Sequence, residues 1–190
     1  MFSTEFLLIE MAQPKHILIA SPMIAESALL SYILRDEGGY RVGFSSNAAD
    51  VQVRLLKGGI DLMITDTTFD ESMQKDAEAF RGAHHEGMGL VKLATQNHIP
   101  VGLFTWLDLG TYGFSSGESS DTKVDYTEIV MDYFREGARF YLTSAELGSD
   151  HILAAVQAAL SGGVYIPQRH FLQLLKGIRR PSETAQPVPV

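Results

Sequence analysis

The feature that most constrains this chain is the run Gly59-Ile60-Asp61-Leu62-Met63-Ile64-Thr65-Asp66-Thr67-Thr68. Apolar residues dominate it from Ile60 to Ile64, a glycine precedes it and polar residues follow at once, which is the pattern of a short buried strand. A strand this apolar belongs inside a sheet covered on both faces. Asp66 falls at its C-terminal end, the edge of an open α/β sheet where ligands and chemistry collect.

The chain can be placed in order around that carboxylate. His16 to Ala20 reads as a first strand, and Ala25 to Arg35 as a helix through Leu29, Leu30, Ile33 and Leu34, ended by Gly38-Gly39. Tyr40 to Phe44 is a second strand. Asn47 is placed to cap a helix through Val51, Val53, Leu55 and Leu56 that closes at Gly58-Gly59. After the organising strand, a polar stretch from Gln74 to Glu86 precedes helical spacing at Leu90, Val91 and Leu93, and Pro100 to Phe104 makes a fourth strand. Leu107 to Lys123, with Gly113-Phe114-Ser115-Ser116-Gly117-Glu118-Ser119-Ser120, reads as a loop. Tyr126, Ile129, Val130, Tyr133 and Phe134 then trace one face of an amphipathic helix. Ala138 to Leu142 is the fifth strand, Ile152 to Leu160 marks a helix ending at Gly162-Gly163, and Gln168 to Ile178 is a further helix.

Strands alternating with helices predict an α/β fold: a doubly wound, five-stranded parallel sheet with helices on both faces and an extra C-terminal helix. The expected organisation is an N-terminal extension over 1–14, a main domain over 15–166 with insertions near 70–88 and 107–124, a helix over 167–179 and a linker tail over 180–190. Met11 precedes the first strand and is an alternative start to Met1.

The absence of cysteine excludes disulfides, thiolate metal sites and thiol catalysis, and fits a cytoplasmic protein. No run approaches the roughly 18 apolar residues of a membrane span, so no membrane partner is expected. The net charge of −8, from 15 basic and 23 acidic residues, opposes non-specific binding to nucleic acid.

These motifs, in this order, resemble the receiver domain of two-component response regulators of the NarL/FixJ/LuxR type, a flavodoxin-like fold. The resemblance rests on Ile17-Leu18-Ile19-Ala20, Ile60 to Asp66, Pro100-Val101 to Thr105 and Gly137-Ala138-Arg139-Phe140-Tyr141-Leu142. It rests most specifically on Ala154-Ala155-Val156 running to Gly162-Gly163-Val164-Tyr165-Ile166-Pro167. It implies that Asp66 stands at the phosphoacceptor position, Thr105 at a Ser/Thr that hydrogen-bonds the phosphoryl group, and Tyr141 at the aromatic position that moves in switching. Two departures follow. The family's acidic pair after the first strand is Ser21-Pro22 here, and its lysine after the fifth strand is Thr143-Ser144. Mg²⁺ needs carboxylate oxygens in an octahedral shell, so Ser21, Asp66, Thr105 and Ser144 form a degenerate pocket that is not expected to hold it. Without metal or ammonium, charge on a transferring phosphoryl group has little to stabilise it.

The resemblance therefore implies a pseudo-receiver: not an enzyme, without cofactor or metal, and acting as a homodimer or through a partner regulator. The edge of the helix carrying Tyr126, Ile129 and Tyr133 is the expected interaction surface, and Trp106 a lid over the pocket. The family's DNA contact is made by a helix-turn-helix domain, which is not among these residues. A small-molecule sensor, a free-standing protein that modulates another regulator, and retained phosphotransfer at Asp66 are the alternatives. His84-His85-Glu86 suggests a metal site, but adjacent histidines diverge on a helix and no spaced third ligand exists, so a solvated loop is the better reading. A serine hydrolase is excluded by the lack of a Gly-x-Ser-x-Gly elbow.

Overall fold

The computed structural model describes residues 13–67, 77–105, 109, 111–116 and 120–178. In chain order the elements are β1 (His16–Ala20), α1 (Ile24–Tyr32), β2 (Arg41–Ser45), α2 (Ala48–Lys57), β3 (Leu62–Thr65), α3 (Ala77–Gln96), β4 (Val101–Thr105), β5 (Thr111–Ser116), β6 (Ser120–Asp125), α4 (Tyr126–Arg135), β7 (Ala138–Thr143), α5 (Ser149–Leu160) and α6 (Gln168–Ile178). Five of the strands form one parallel sheet in the order β2-β1-β3-β4-β7. The chain winds outward from β1 in both directions, so the order reverses between β1 and β3, and the crevice there opens at the strands' C-terminal ends.

The strands are apolar on both faces because each face packs under helices. Side chains alternate across the sheet. On one side Ile17, Ile19, Leu62, Ile64, Phe104, Phe140 and Leu142 meet Leu30, Leu34, Ile152 and Val156 of α1, its extension and α5. On the other, Leu18, Met63, Val101, Leu103 and Tyr141 meet Val51, Leu55, Leu90, Val91, Val130, Tyr133 and Leu174 of α2, α3, α4 and α6. Each leucine buried in these layers contributes about 2 kcal/mol. The sheet requires one glycine outright: a Cβ at Gly102 would lie 1.9 Å from the Phe140 ring, which sits across β4.

The expected punctuation does its work. Asn47 accepts a hydrogen bond from the Asp50 N–H at 3.1 Å and caps α2, and Gly58, with φ +79°, turns the chain out of it. α1 passes into a wider π turn over Ile33–Glu37 before Gly38. The Gly-Gly-x-Tyr-x-Pro segment has a specific role. After the turn at Gly162, the Tyr165 N–H donates to the Arg139 carbonyl at 2.8 Å and its carbonyl accepts from the Tyr141 N–H at 3.3 Å. One residue of backbone thereby pairs with the outer edge of β7, and the Tyr165 hydroxyl meets His151 Nδ1 at 2.5 Å. Pro167 then starts α6, its carbonyl accepting from His170 and Phe171.

Two expectations differ from the structure. The helix before β4 begins at Ala77, so most of the polar stretch read from Gln74 to Glu86, including His84-His85-Glu86, is helical and not loop. The Gly/Ser-rich connection contains an antiparallel hairpin, β5 with β6, in register from Thr111 opposite Asp125 to Ser116 opposite Ser120. Backbone pairing across six positions supplies a regularity that composition concealed, and the hairpin runs beside α3 and α4.

Candidate functional site

The C-terminal edge of the sheet carries two polar clusters. The first gathers around Asp66. β3 is held between β1 and β4, and the Asp66 N–H donates to the Ala20 carbonyl at 3.0 Å, so the residue continues the strand's pairing by one step. Asp66 is 3% exposed and Thr67, Thr105 and Tyr126 are wholly buried. The Tyr126 hydroxyl, from the first turn of α4, donates to Thr105 Oγ1 at 3.3 Å and also meets Thr67 Oγ1 in a short contact. Thr67 Oγ1 lies 3.4 Å from Asp66 Oδ1. A phenol has one proton. With that proton on Thr105, Thr67 is the donor toward Tyr126 or Asp66.

A second tyrosine closes the arrangement. The Tyr133 hydroxyl donates to the Thr67 carbonyl at 2.7 Å. Burial, then the nearby Tyr126 and Asp66, push the Tyr133 phenol well above the ordinary tyrosine range, so it remains a protonated donor. α3 passes close over this point at Gly87, where a Cβ would lie 2.5 Å from the Tyr133 oxygen and 2.9 Å from the Thr67 carbonyl oxygen. The hydroxyls of Thr67, Tyr126 and Thr105 thus tie the ends of β3 and β4 to α4, with the Asp66 carboxylate beside them.

The second cluster lies at the end of β7. Thr143, paired in register with Thr105, begins a short 3₁₀ turn over Ser144–Glu146 through a capping box. The Glu146 carboxylate is 5% exposed. Its Oε2 accepts from the Thr143 N–H at 2.8 Å, from Thr143 Oγ1 at 2.9 Å and from His170 Nε2 at 3.2 Å, while Oε1 accepts from Arg169 Nε at 2.6 Å. The Arg169 guanidinium also donates to Thr143 Oγ1 at 2.8 Å. Burial would raise the Glu146 pKa, but hydrogen bonds from Thr143, Arg169 and His170 outweigh it and hold the carboxyl below its ordinary range. His170, 1% exposed, sets its ring edge-on to Tyr141 at 4.9 Å, and its Nδ1 has no hydrogen-bond partner.

These positions settle where the predicted site residues lie. Asp66, Thr105 and Ser21 are buried at the sheet's C-terminal edge, and Ser144 is exposed. Ser21 Oγ accepts from the Met23 N–H at 3.1 Å, a local turn that occupies the hydroxyl. Tyr141 is fully buried beneath α6. Trp106, expected as a lid, lies outside the described residues. Tyr126 and Tyr133 are wholly buried and Ile129 is 9% exposed, so these three belong to the core and not to a surface. The reason is chemical: each phenol finds a threonine oxygen inside, which removes the cost of burying its polar tip. The exposed positions of α4 are Glu128, Asp132 and Arg135. His85 and Glu86 are exposed on α3, and among the described residues no three His, Asp or Glu side chains converge as a metal site. Sequence reading missed Glu146, Arg169 and His170. The readable signal was Thr143-Ser144-Ala145-Glu146, the Thr-x-x-Glu pattern of a capping box.

No protein-family model matches the chain, and no curated protein matches it. Solved structures do. The RcsB response regulator of Salmonella typhimurium superposes with a TM-score of 0.62 at 13% identity, over 89% of this chain and 72% of that one. A CheY-like response regulator receiver protein of Methanospirillum hungatei JF-1 gives 0.56 at 17% identity, over 78% and 95%. The chemotaxis protein CheY4 of Vibrio cholerae gives 0.53 at 17% identity, over 77% and 98%. At these identities the likeness is one of architecture: a five-stranded parallel sheet between helices, wound as in CheY, which gives this chain the receiver fold.

Proposed function

We propose that this chain is a receiver-type signalling domain of the NarL/FixJ/LuxR kind whose state is set by protein contact and not by phosphorylation of Asp66. The observation that carries this reading is the Tyr126 hydroxyl. It engages Thr105, the residue at the phosphoryl-sensing position, and Thr67 beside Asp66, so α4 is already tied to the sheet edge by neutral groups. The electrostatics agree. Transfer of a phosphoryl group needs fixed positive charge around its oxygens. The ends of β1 and β7 offer Ser21-Pro22 and Thr143-Ser144, and the guanidinium at the β7 end, Arg169, is bound to Glu146.

On this reading the domain has no catalytic role and holds no cofactor or metal, and its partner is a second copy or another regulator. The net charge of −8 leaves any DNA contact to a separate helix-turn-helix domain. No helix of the described residues is long and apolar enough to cross a membrane, which accords with a cytoplasmic setting.

The test is incubation with acetyl phosphate and Mg²⁺ followed by intact mass. The expected result is an unchanged mass for the native chain. A gain of one phosphoryl group that vanishes in Asp66→Asn would overturn the proposal. Light scattering with size exclusion is expected to show a dimer, or a monomer that becomes a complex with its cognate regulator.

A further inference from the structure

α6 is attached to the domain in an unusual way. Its inward face buries only His170 and Leu174 among residues 168–175, while Phe171 and Leu172 are about half exposed. Leu174 joins the core layer that contains Tyr141, Tyr133 and Val130, and His170 covers the Tyr141 ring. The docked imidazole is imperfectly accommodated. His170 Nε2 lies 3.2 Å from both Glu146 Oε2 and Arg169 Nε, and its buried Nδ1 has no hydrogen-bond partner in either tautomer. An unpaired buried polar atom costs an amount comparable to what one buried leucine contributes. This penalty subtracts from the apolar packing of α6, and among the described residues its ionic tie to the rest of the domain is the Arg169 guanidinium on Glu146 and Thr143.

We infer that α6 is a releasable latch: it docks over Tyr141 and the α4–β7 face, and the Arg169–Glu146–Thr143 tie decides whether it stays. Release pivots after Pro167, because the preceding residue-wide pairing of Tyr165 with β7 anchors the chain independently. Opening exposes the Tyr141 ring and the layer around Leu174, so the face on which a signalling partner would act is occupied in the resting chain by the chain itself. This regulatory role rests on the receiver reading above, whereas the latch itself is a physical property that can be measured without it.

Amide hydrogen exchange on the full chain, read by mass spectrometry, tests the latch. In the native protein the amides of α6 are expected to exchange at least tenfold faster than those of α5 and β3. Arg169→Ala removes the tie while leaving the Thr143–Glu146 capping box in place. It should speed α6 exchange by about a further tenfold, leave β1 and β3 unchanged, and increase hydroxyl-radical labelling of Tyr141. Glu146→Gln should act in the same direction. If α6 exchanges together with α5 in both the native chain and Arg169→Ala, or if Arg169→Ala speeds the whole domain equally, α6 is an integral part of the fold and the latch is refuted. A positive acetyl-phosphate result would instead overturn the contact-driven reading of the receiver and leave the exchange result standing.

Discussion

The two clusters at the C-terminal edge of the sheet solve the same local problem in opposite ways. Around Asp66, the ends of β3 and β4 are joined to α4 by hydroxyls, with a neutral phenol donating to each side of the junction. Around Glu146, the end of β7 is joined to α6 by a buried carboxylate that accepts four hydrogen bonds, one from a guanidinium. The first joint is buried and made by hydroxyls. The second is ionic and reaches water, because the Arg169 side chain is 46% exposed. A neutral joint works only while its parts stay in register, so it favours a fixed α4. An ionic joint to a half-exposed partner can be broken one helix at a time, which favours a movable α6.

The contrast can be broken most severely at Glu146. Glu146→Ala removes the carboxylate shared by Arg169, His170 and the Thr143 N–H and is expected to cost about 3 kcal/mol, below the upper range for buried pairs because one partner is half exposed. Chemical denaturation would read the loss. At the neutral joint, Gly87→Ala pushes a methyl group against the Thr67 carbonyl, a backbone atom that cannot swing aside, and should cost about 2 kcal/mol. Tyr126→Phe removes one hydroxyl and leaves the two threonines to find other partners, for about 1 kcal/mol, measured the same way. If Tyr126→Phe proves as costly as Glu146→Ala, the neutral joint is the stronger one and the contrast reverses.

The smallest effect, and the sharpest, lies in pH. The Glu146 carboxyl has a lowered folded pKa, so its stabilisation is complete above the ordinary glutamate value of about 4.3 and is lost as pH falls through the lowered value. The Tyr133 phenol has a raised folded pKa, so its stabilisation is complete below the ordinary tyrosine value of about 10 and is lost as pH rises beyond it. Glu146→Gln should therefore flatten the acid limb of the stability profile only, and Tyr133→Phe the alkaline limb only. A change on both limbs in either variant would mean that the clusters are coupled.

The fold was legible because strands covered on both faces are apolar in successive positions, as β1 is over Ile17–Ala20, β3 over Leu62–Ile64 and β4 over Val101–Phe104 apart from Gly102. The site was legible only in part. Asp66 and Thr105 announce themselves as polar residues closing apolar strands, and Ser21-Pro22 and Thr143-Ser144 can be read directly as uncharged strand ends. The partners of those residues cannot. Tyr126 lies 59 positions from Thr67, and an amphipathic stripe does not tell whether a tyrosine at its margin faces solvent or an internal hydroxyl. Arg169 and Glu146 are 23 residues apart and look like ordinary surface charges until the chain folds back at Gly162-Gly163. The β5–β6 hairpin escaped notice for a different reason. Its strands, Thr-Tyr-Gly-Phe-Ser-Ser and Ser-Asp-Thr-Lys-Val-Asp, carry no apolar alternation strong enough to outweigh their glycine and charged residues.

A parallel sheet ends in two strands with one unpaired side each, and such sides invite further strands from other molecules. Here one rim is β7, where the backbone of Tyr165 takes up main-chain groups of Arg139 and Tyr141. The other is β2, five residues long, where the Arg35 guanidinium donates to the Val42 carbonyl at 2.7 Å and sets a cation beside the strand. A foreign strand would have to displace a covalently tethered segment at one rim and desolvate a charge at the other. Growth of the sheet across molecules is disfavoured from both directions.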